Sequence, residues 1–510
     1  MKRILLIAAA LAALALSLSA VGDRLYDEPY RLQYHFSPAR TWTNDPNGLV
    51  YYKGEFHLFF QTNPFGNVPA HISWGHAVSP DMLHWKELPI AIPEEHGQMI
   101  FSGSVVIDSN TSGLCKSGDP KDNSCLVAIY TAHTPAVQTQ NIAVSNDRGR
   151  TWTKYAKNPI IDLHMQNFRD PKVFYHAPSK QWVMAVSLPD EHKIRLFGSR
   201  NLLQWTMLSD FGPAGATGGQ WECPDLFTVG ADTTPPSRKW VFVVNVNPGG
   251  VQGGSATQYF TGNFDGKSFH NDNPPATTLW ADWGKDFYAA VTYFNAPPND
   301  PRRLFVGWFG NWQYASLEPT SPQRGAMAIP RQLLLRMHPE GARLVQSPID
   351  EMELLHGTEM NMRNREIASA NKDIREGNFK GHELEIIVSF DPGTAAEFGV
   401  RVHKGATEQT VVGMTRDGHA FIDRSKSGNT TFSPHFDGRQ TAPYRTGALS
   451  ELHILVDRSS VEAFVNDGET VISDRVFPSV ASDGIEFYSK GGTARIKFLK
   501  MWKINSVWPH

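Results

Sequence analysis

Cysteine is scarce, with three residues in 510. That argues against a disulfide-stapled scaffold. With no C-x-x-C pair, and nineteen histidines scattered without ligand spacing, no metal site and no cofactor are expected. Charge is sparse as well. Asp, Glu, Lys and Arg make up 19% of the chain, below the usual quarter, and 48 basic against 51 acidic residues leave −3. A polyanion-binding surface needs a basic excess, so no nucleic-acid partner is expected. Long apolar runs are missing beyond the first twenty residues. There, a basic start (Met1-Lys2-Arg3) leads into the apolar run Ile4 to Leu18, small residues at Ser17, Ser19 and Ala20, and a polar turn at Asp23-Arg24. This is the layout of a secretory signal peptide and is short for a membrane span. The expectation is a leader over 1–22, cut between about Ser19 and Gly22, and a secreted or periplasmic protein that is not held in a membrane.

What is present is a turn-rich, aromatic chain. Gly (42) and Pro (34) stand above average usage, yet 41% apolar residues supply a real core. The length exceeds what one core usually supports, so two domains are expected. Cys115 and Cys125 bracket a polar, Gly-containing segment and are either a local disulfide or two free thiols. Cys223, unpaired in an apolar context, reads as buried.

The body of the chain repeats. Four segments place a tight turn before an aromatic: Ser79-Pro80-Asp81 to Trp85, Ser145-Asn146-Asp147 to Trp152, Ser199-Arg200-Asn201 to Trp205, and Asn263-Phe264-Asp265 to Phe269. Asp and Asn close such turns by accepting backbone amides two residues on, and β-prone runs flank each one. A second series, offset from the first, opens strands at Asp45-Pro46, Ser102-Gly103, Asp170-Pro171, Glu222-Cys223-Pro224 and Asp286, at intervals of 57, 68, 52 and 64 residues. Five units with a period near 60 are the signature of a five-bladed β-propeller over about 30–345. From 365 to 510, short alternating runs such as Leu384 to Val388, Phe398 to Val402 and His453 to Asp457 lack that period and read as a C-terminal β-sandwich. The fold class is therefore all-β. The linker, 346–364, carries a helical-looking stretch near Ser347 to Leu355.

In a propeller the innermost strands surround one axis, so residues at blade starts converge. Three of the five starts carry a carboxylate beside Pro: Asp45, Asp170 and Glu222. Each alone reads as a turn or a surface ion pair; three in register read as a site. Paired carboxylates across a sugar bond are the equipment of a glycosidase. Trp221 and Cys223 give Glu222 apolar neighbours that would keep it protonated, while Asn44 and nearby amides would hold Asp45 ionised. The expected pattern is a raised Glu222, a lowered Asp45 and a bell-shaped rate profile on the acidic side of neutral. Trp42, Trp74, Phe101, Trp308 and Trp312 offer flat faces for sugar stacking or serve as propeller core.

These motifs resemble a family. Trp42-Thr43-Asn44-Asp45-Pro46-Asn47-Gly48, Gln61-Thr62-Asn63-Pro64, Trp74-Gly75-His76-Ala77, Phe101-Ser102-Gly103-Ser104, Phe168-Arg169-Asp170-Pro171 and Trp221-Glu222-Cys223-Pro224 stand in the order seen in glycoside hydrolase family 32, the invertases, inulinases and levanases. Gly284 to Ala289, Ile329-Pro330-Arg331 and Val456 to Glu462 extend the resemblance over nearly the whole chain. Thr43, where the family usually has Met, is the one small departure. The resemblance implies that Asp45 attacks the anomeric carbon of a terminal β-fructofuranosyl unit. Glu222 then serves as acid and base, and Asp170 holds the ring hydroxyls with Arg169 orienting it. Asn44, Gln61, Trp74, Phe101 and Ser102 would line the pocket, with Trp42 and Trp312 as further substrate contacts. Retention would place the Asp45 and Glu222 carboxyls about 5–5.5 Å apart. The stretches Asn245 to Gly250, Trp280 to Ala290 and Asn311 to Tyr314 are similar to exo-acting fructan hydrolases. The substrate implied is levan or inulin, with sucrose also cleaved. The alternatives are a dedicated invertase, a fructosyltransferase, or an inactive carbohydrate-binding propeller. The sandwich reads as a structural cover, with Tyr488 weighed as a surface sugar contact. Oligomeric state is left open.

Overall fold

A computed structural model describes residues 25–509 apart from 117–121, 235–236 and 448–449. The leader expected over 1–22 lies outside the described residues. Strands fill the rest in two groups. Blade I consists of Thr41–Tyr52, Glu55–Asn63, Ser73–Ser79 and Lys86–Ile92, and blade II of Met99–Asp108, Cys125–His133, Gln138–Ser145 and Thr153–Lys154. Blade III is Arg169–His176, Gln181–Leu188, Lys193–Ser199 and Thr206–Phe211, and blade IV is Gln220–Ala231, Ser237–Asn247, Ala256–Phe264 and Phe269–Asn271. Blade V is Tyr288–Thr292, Arg303–Trp308, Arg331–His338 and Gly341–Pro348, again antiparallel throughout.

The four turn-and-aromatic segments link the third and fourth strands of blades I to IV. Asp81 Oδ1 accepts the Leu83 and His84 amides, and the Trp85 indole donates back to Met82 O. Trp152 to Gly149 O and Trp205 to Leu202 O repeat the bond. The turn is thus closed twice, by a carboxylate or amide in front and an indole behind.

The ring is stitched at every seam between innermost strands. Gly103 N donates to Asn47 Oδ1, Val173 N to Ser104 Oγ, Cys223 N to Asp170 Oδ2, Thr292 N to Asp225 Oδ2, and Phe294 N to Leu49 O. Side chains carry four of the five bonds because neighbouring blades splay apart and cannot continue a backbone ladder. A short parallel pairing of Thr41–Trp42 with Gln323–Arg324 also joins blade I to the last blade's connection.

The sandwich has a six-stranded sheet and a five-stranded sheet whose inner faces share a core including Leu384, Ile386, Val400, Val412, Ile454 and Leu499. The stretch expected as a linker belongs largely to this domain: His356–Glu366 pairs along Arg495–Ile504 as an edge strand. The helical-looking stretch begins as blade V strand and becomes a 3-10 helix only at Asp350–Leu355. One α-helix, Ile367–Glu376, was not expected. It buries Ala370 and Ile374 in the core and packs the partly buried Ile367 against it, three apolar positions in a ten-residue helix, too short a stripe for the sequence pattern to reveal. Tyr488 is 6% exposed, lies under Arg401 and donates to Glu397, so it is packing and not a surface sugar contact.

Buried ion pairs lock the two domains. Arg331 reaches Asp282 at 2.9 Å and Glu462 at 2.9 Å, while Arg424 meets Asp286 at 2.7 Å. His35 lies between Asp457 and Glu462, and the two acids hold the imidazole pKa above its ordinary value against its burial. Asp286, the fifth blade start, therefore faces the sandwich. Cys115 and Cys125 form a disulfide, and Cys223 is a buried free thiol.

Candidate active site

Every innermost strand is interrupted at the same level. Register breaks fall between Thr43 and Pro46, Ile100 and Gly103, Glu222 and Asp225, and Tyr288 and Val291, and opposite Arg169 to Lys172. Asp170, Cys223 and Ala289 adopt φ of 68°, 44° and 51° at these breaks. A bulge re-aims side chains that regular alternation would send into the blade interface. A proline one residue after Asp45 and Asp170, and two after Glu222, removes an amide that the broken ladder could not use. Gly48, at φ 55°, leaves no room for more: a Cβ would come within 2.7 Å of Phe59 and Val105 side chains.

The bulges bring Asp45, Asp170 and Glu222 together. Asp45, 8% exposed, accepts from Ser102 Oγ at 2.6 Å, Asn44 Nδ2 at 3.0 Å and the Cys223 thiol at 3.4 Å. Gln61 ties this shell together, donating to Ser102 at 2.7 Å and accepting from Asn44. Trp42 donates to Asn44 Oδ1 at 2.7 Å and so fixes which end of that amide faces Asp45. Asp170, 5% exposed, accepts from the Cys223 amide at 3.0 Å, and the thiol lies 3.6 Å from the same oxygen. Cys223 is thus wedged between two carboxylates. Burial and the surrounding acids push its thiol well above the ordinary range, so it stays a neutral donor.

Glu222 is the accessible acid, its side chain 20% exposed. Arg169 grips Oε1 through Nε at 3.0 Å and Nη2 at 2.9 Å, and the Tyr288 hydroxyl donates to Oε2. Arg169 is itself held by Gln220 at 2.7 Å and Asn167 at 3.1 Å, both of which bond to Asp190. The apolar surroundings expected for Glu222 are not there. Strand alternation turns Trp221 into the core between blades III and IV, where its indole donates to Ala216 O.

The expectation for Asp45 is also corrected. Its carboxyl lies above the ordinary value, because burial dominates and the Glu222 charge adds to it, against the bonds from Ser102, Asn44 and Cys223. Asp170 is pushed to about 7 by burial and by Glu222 and Asp45, with Arg169 opposing. At Asp170 the charges of Glu222 and Asp45 add to the effect of burial, and the Arg169 guanidinium offsets part of it.

Three of the expected stacking faces are not faces. Trp42 and Trp74 are fully buried, as is Trp308. Trp74 donates to Phe101 O at 3.0 Å and supports that strand from behind. Trp312, partly exposed, stacks on Trp42 with ring centres 5.8 Å apart, and Phe101 stacks on His133 at 4.2 Å. Tyr288 and Cys223 are site residues that the acid-at-blade-start argument did not single out. For Tyr288 the signal was there: it opens the innermost strand of the one blade whose acid turns away. The group with metal-ligand spacing among the described residues is Asp108, Cys115 and Cys125, whose sulfurs are committed to the disulfide.

Comparison with known proteins follows the same division of the chain. The model of the glycosyl hydrolases family 32 N-terminal domain matches residues 35–348, and that of the family 32 C-terminal domain matches 351–503. A levanase of Bacillus subtilis is 48% identical over 97% of this chain and 73% of its own length. An extracellular exo-inulinase of Aspergillus awamori is 41% identical over 95% of this chain and 96% of its own. The crystal structure of an Aspergillus awamori exo-inulinase superposes with a TM-score of 0.87 at 38% identity, over 95% of this chain and all of that one. An invertase of Debaryomyces hansenii is 35% identical over 87% of each chain.

Proposed function

The chain belongs to glycosyl hydrolases family 32, and from that membership we infer a fructan β-fructosidase that releases terminal fructose units with retention. Asp45 is the nucleophile. It is held in one orientation by three donors and buried where a ring would press against it. Glu222, nearer solvent, protonates the leaving oxygen and afterwards takes a proton from water. Arg169 and Tyr288 fix the geometry of both transfers. Asp170, oriented by the hydrogen bond from the Cys223 backbone N–H, accepts hydrogen bonds from the ring hydroxyls. Retention calls for carboxyls about 5–5.5 Å apart, against about 6.5–9.5 Å for inversion. The observation that carries the reading is the convergence of the three acids on one pocket, with only Glu222 appreciably open to water.

Depth supports the exo mode. A nucleophile this buried is reached by a chain end and not by the middle of a polymer. The extracellular relatives support secretion, in line with the leader layout. Incubation with levan, inulin and sucrose, followed by chain-length analysis, tests the reading. Fructose as the sole early product from levan or inulin, together with sucrose cleavage, is expected. Short oligomers would indicate endo cleavage, and activity confined to sucrose would favour the invertase alternative that one relative suggests.

A further inference from the structure

A cleft of about 250 Å³ opens where the outer parts of blades IV and V meet the sandwich, and it shares no residue with the catalytic pocket. Its floor is Tyr259, its walls Trp280, Trp283 and Tyr444, and its rim Arg343 with the Arg445–Glu469 pair.

Tyr444 and Thr470 spend their hydroxyls on the backbone, at Thr415 O and Pro443 O, but four other lining residues keep donors unspent. Nine of the fourteen tryptophans donate their indole N–H within the protein. Among the described residues, neither Trp280 nor Trp283 does. Tyr259, only 4% exposed, accepts the Leu344 amide at 3.0 Å but finds no acceptor for its own proton. A buried phenol hydroxyl normally uses both capacities. Arg343 has no carboxylate partner among the described residues and touches only the neighbouring Ala342 carbonyl, at 3.0 Å. The other charges cancel locally: Glu469 accepts from Arg445 at 2.8 Å and lies 2.7 Å from the His338 ring, and Arg445 also pairs with Glu340.

The cleft therefore combines flat apolar rings with several donors and little free charge. That suits a neutral ligand rich in hydroxyl and ether oxygens. Small-ligand sites favour domain seams and this mix of apolar walls with a few polar groups, although drug-sized ones run larger, about 300–1,000 Å³. We propose that this seam is a second carbohydrate site that holds a short internal segment of the fructan substrate away from the catalytic pocket. The identity of the ligand rests on the fructosidase reading above. The consequence is local tethering: a polymer held at the seam keeps its free ends near the mouth and raises their effective concentration.

Native electrophoresis in gels containing levan tests this, using the full chain with Glu222→Gln to prevent hydrolysis. Trp280→Ala and Arg343→Ser are added singly. Arg343→Ser keeps the test informative where loss of the indole perturbs the blade. Retardation by levan is expected to weaken by about three- to tenfold in either variant. Placed on the active chain, both should raise KM for levan and leave sucrose turnover unchanged. Unchanged retardation in both variants would overturn the proposal, and so would equal retardation by dextran, which lacks fructosyl units. Failure of the fructosidase reading shows separately, as no fructose released from levan or inulin by the unsubstituted chain.

Discussion

Glu222 and Arg169 form the most revealing pair of side chains, because the guanidinium that positions the acid also tempers Asp170 behind it. Glu222→Ala should lower hydrolysis of levan and sucrose by about 10²–10⁴-fold, the usual contribution of a general acid. Fructosides with good leaving groups should still pass the first step, which a stopped-flow burst of the leaving group would record. Full activity on sucrose would remove Glu222 from its role. Arg169→Met makes a second prediction. The cation is the main influence lowering Asp170 against its burial, so its loss moves that carboxyl further up from about 7. The acidic limb of the kcat/KM profile on an activated fructoside should then shift to higher pH, with a lower plateau. An unmoved limb would show that Arg169 acts by position alone. The acids were legible in the sequence because turn chemistry and Pro mark blade starts. The Asp45 shift was not: it depends on burial and on a partner 177 positions away.

Bulges are the elements on which the site depends. Each innermost strand breaks register at the level of the pocket, and a bulge is a relation between two strands, invisible in the text of either one. The repeats, by contrast, were readable because their turn, aromatic and strand lie within a dozen residues. The helix Ile367–Glu376 was hidden by the shortness of its core-facing stripe, and the supposed linker by an edge strand whose partner lies more than a hundred residues on. The Cys115–Cys125 bridge closes a short loop before the second strand of blade II, far in sequence from the acids. Replacing both cysteines by Ser should cost about 2–3 kcal/mol in a denaturant titration, as expected for so short a loop. The rate on sucrose should stay unchanged where the chain is folded. A fall in rate without a fall in stability would place the loop in the site's support.

At the scale of the whole molecule, the propeller and sandwich act as one body because ions are buried between them. Truncating Arg331 to Met leaves Asp282 without its cation and Glu462 with His35 alone, and should lower stability by about 3–5 kcal/mol, read by thermal or chemical unfolding. Several resemblance motifs, among them Ile329-Pro330-Arg331 and Val456 to Glu462, belong to this seam and not to the chemistry. The seam also predicts a pH response. Burial raises the Glu318 carboxyl from 4.5 to about 7, only partly offset by Arg475 at 3.5 Å. The folded chain therefore keeps a proton that the unfolded chain releases, and stability is lost as pH rises from about 4.5 through 7. Glu318→Gln, neutral at every pH, should close or reverse its deficit in Tm across that window. A Tm difference independent of pH would contradict the assignment.

As the proposed nucleophile, Asp45 bonds through a carboxylate oxygen to the anomeric carbon in a covalent fructosyl-enzyme, while Glu222 protonates the leaving oxygen. Glu222→Ala, mixed with a fructoside carrying an activated leaving group and quenched in acid, should hold the intermediate, because no base remains to activate water. Intact-protein mass spectrometry should then show one added fructosyl unit, and peptide mapping should place it on Asp45. An adduct on any other residue, or leaving-group release with no adduct at any quench time, would contradict the account.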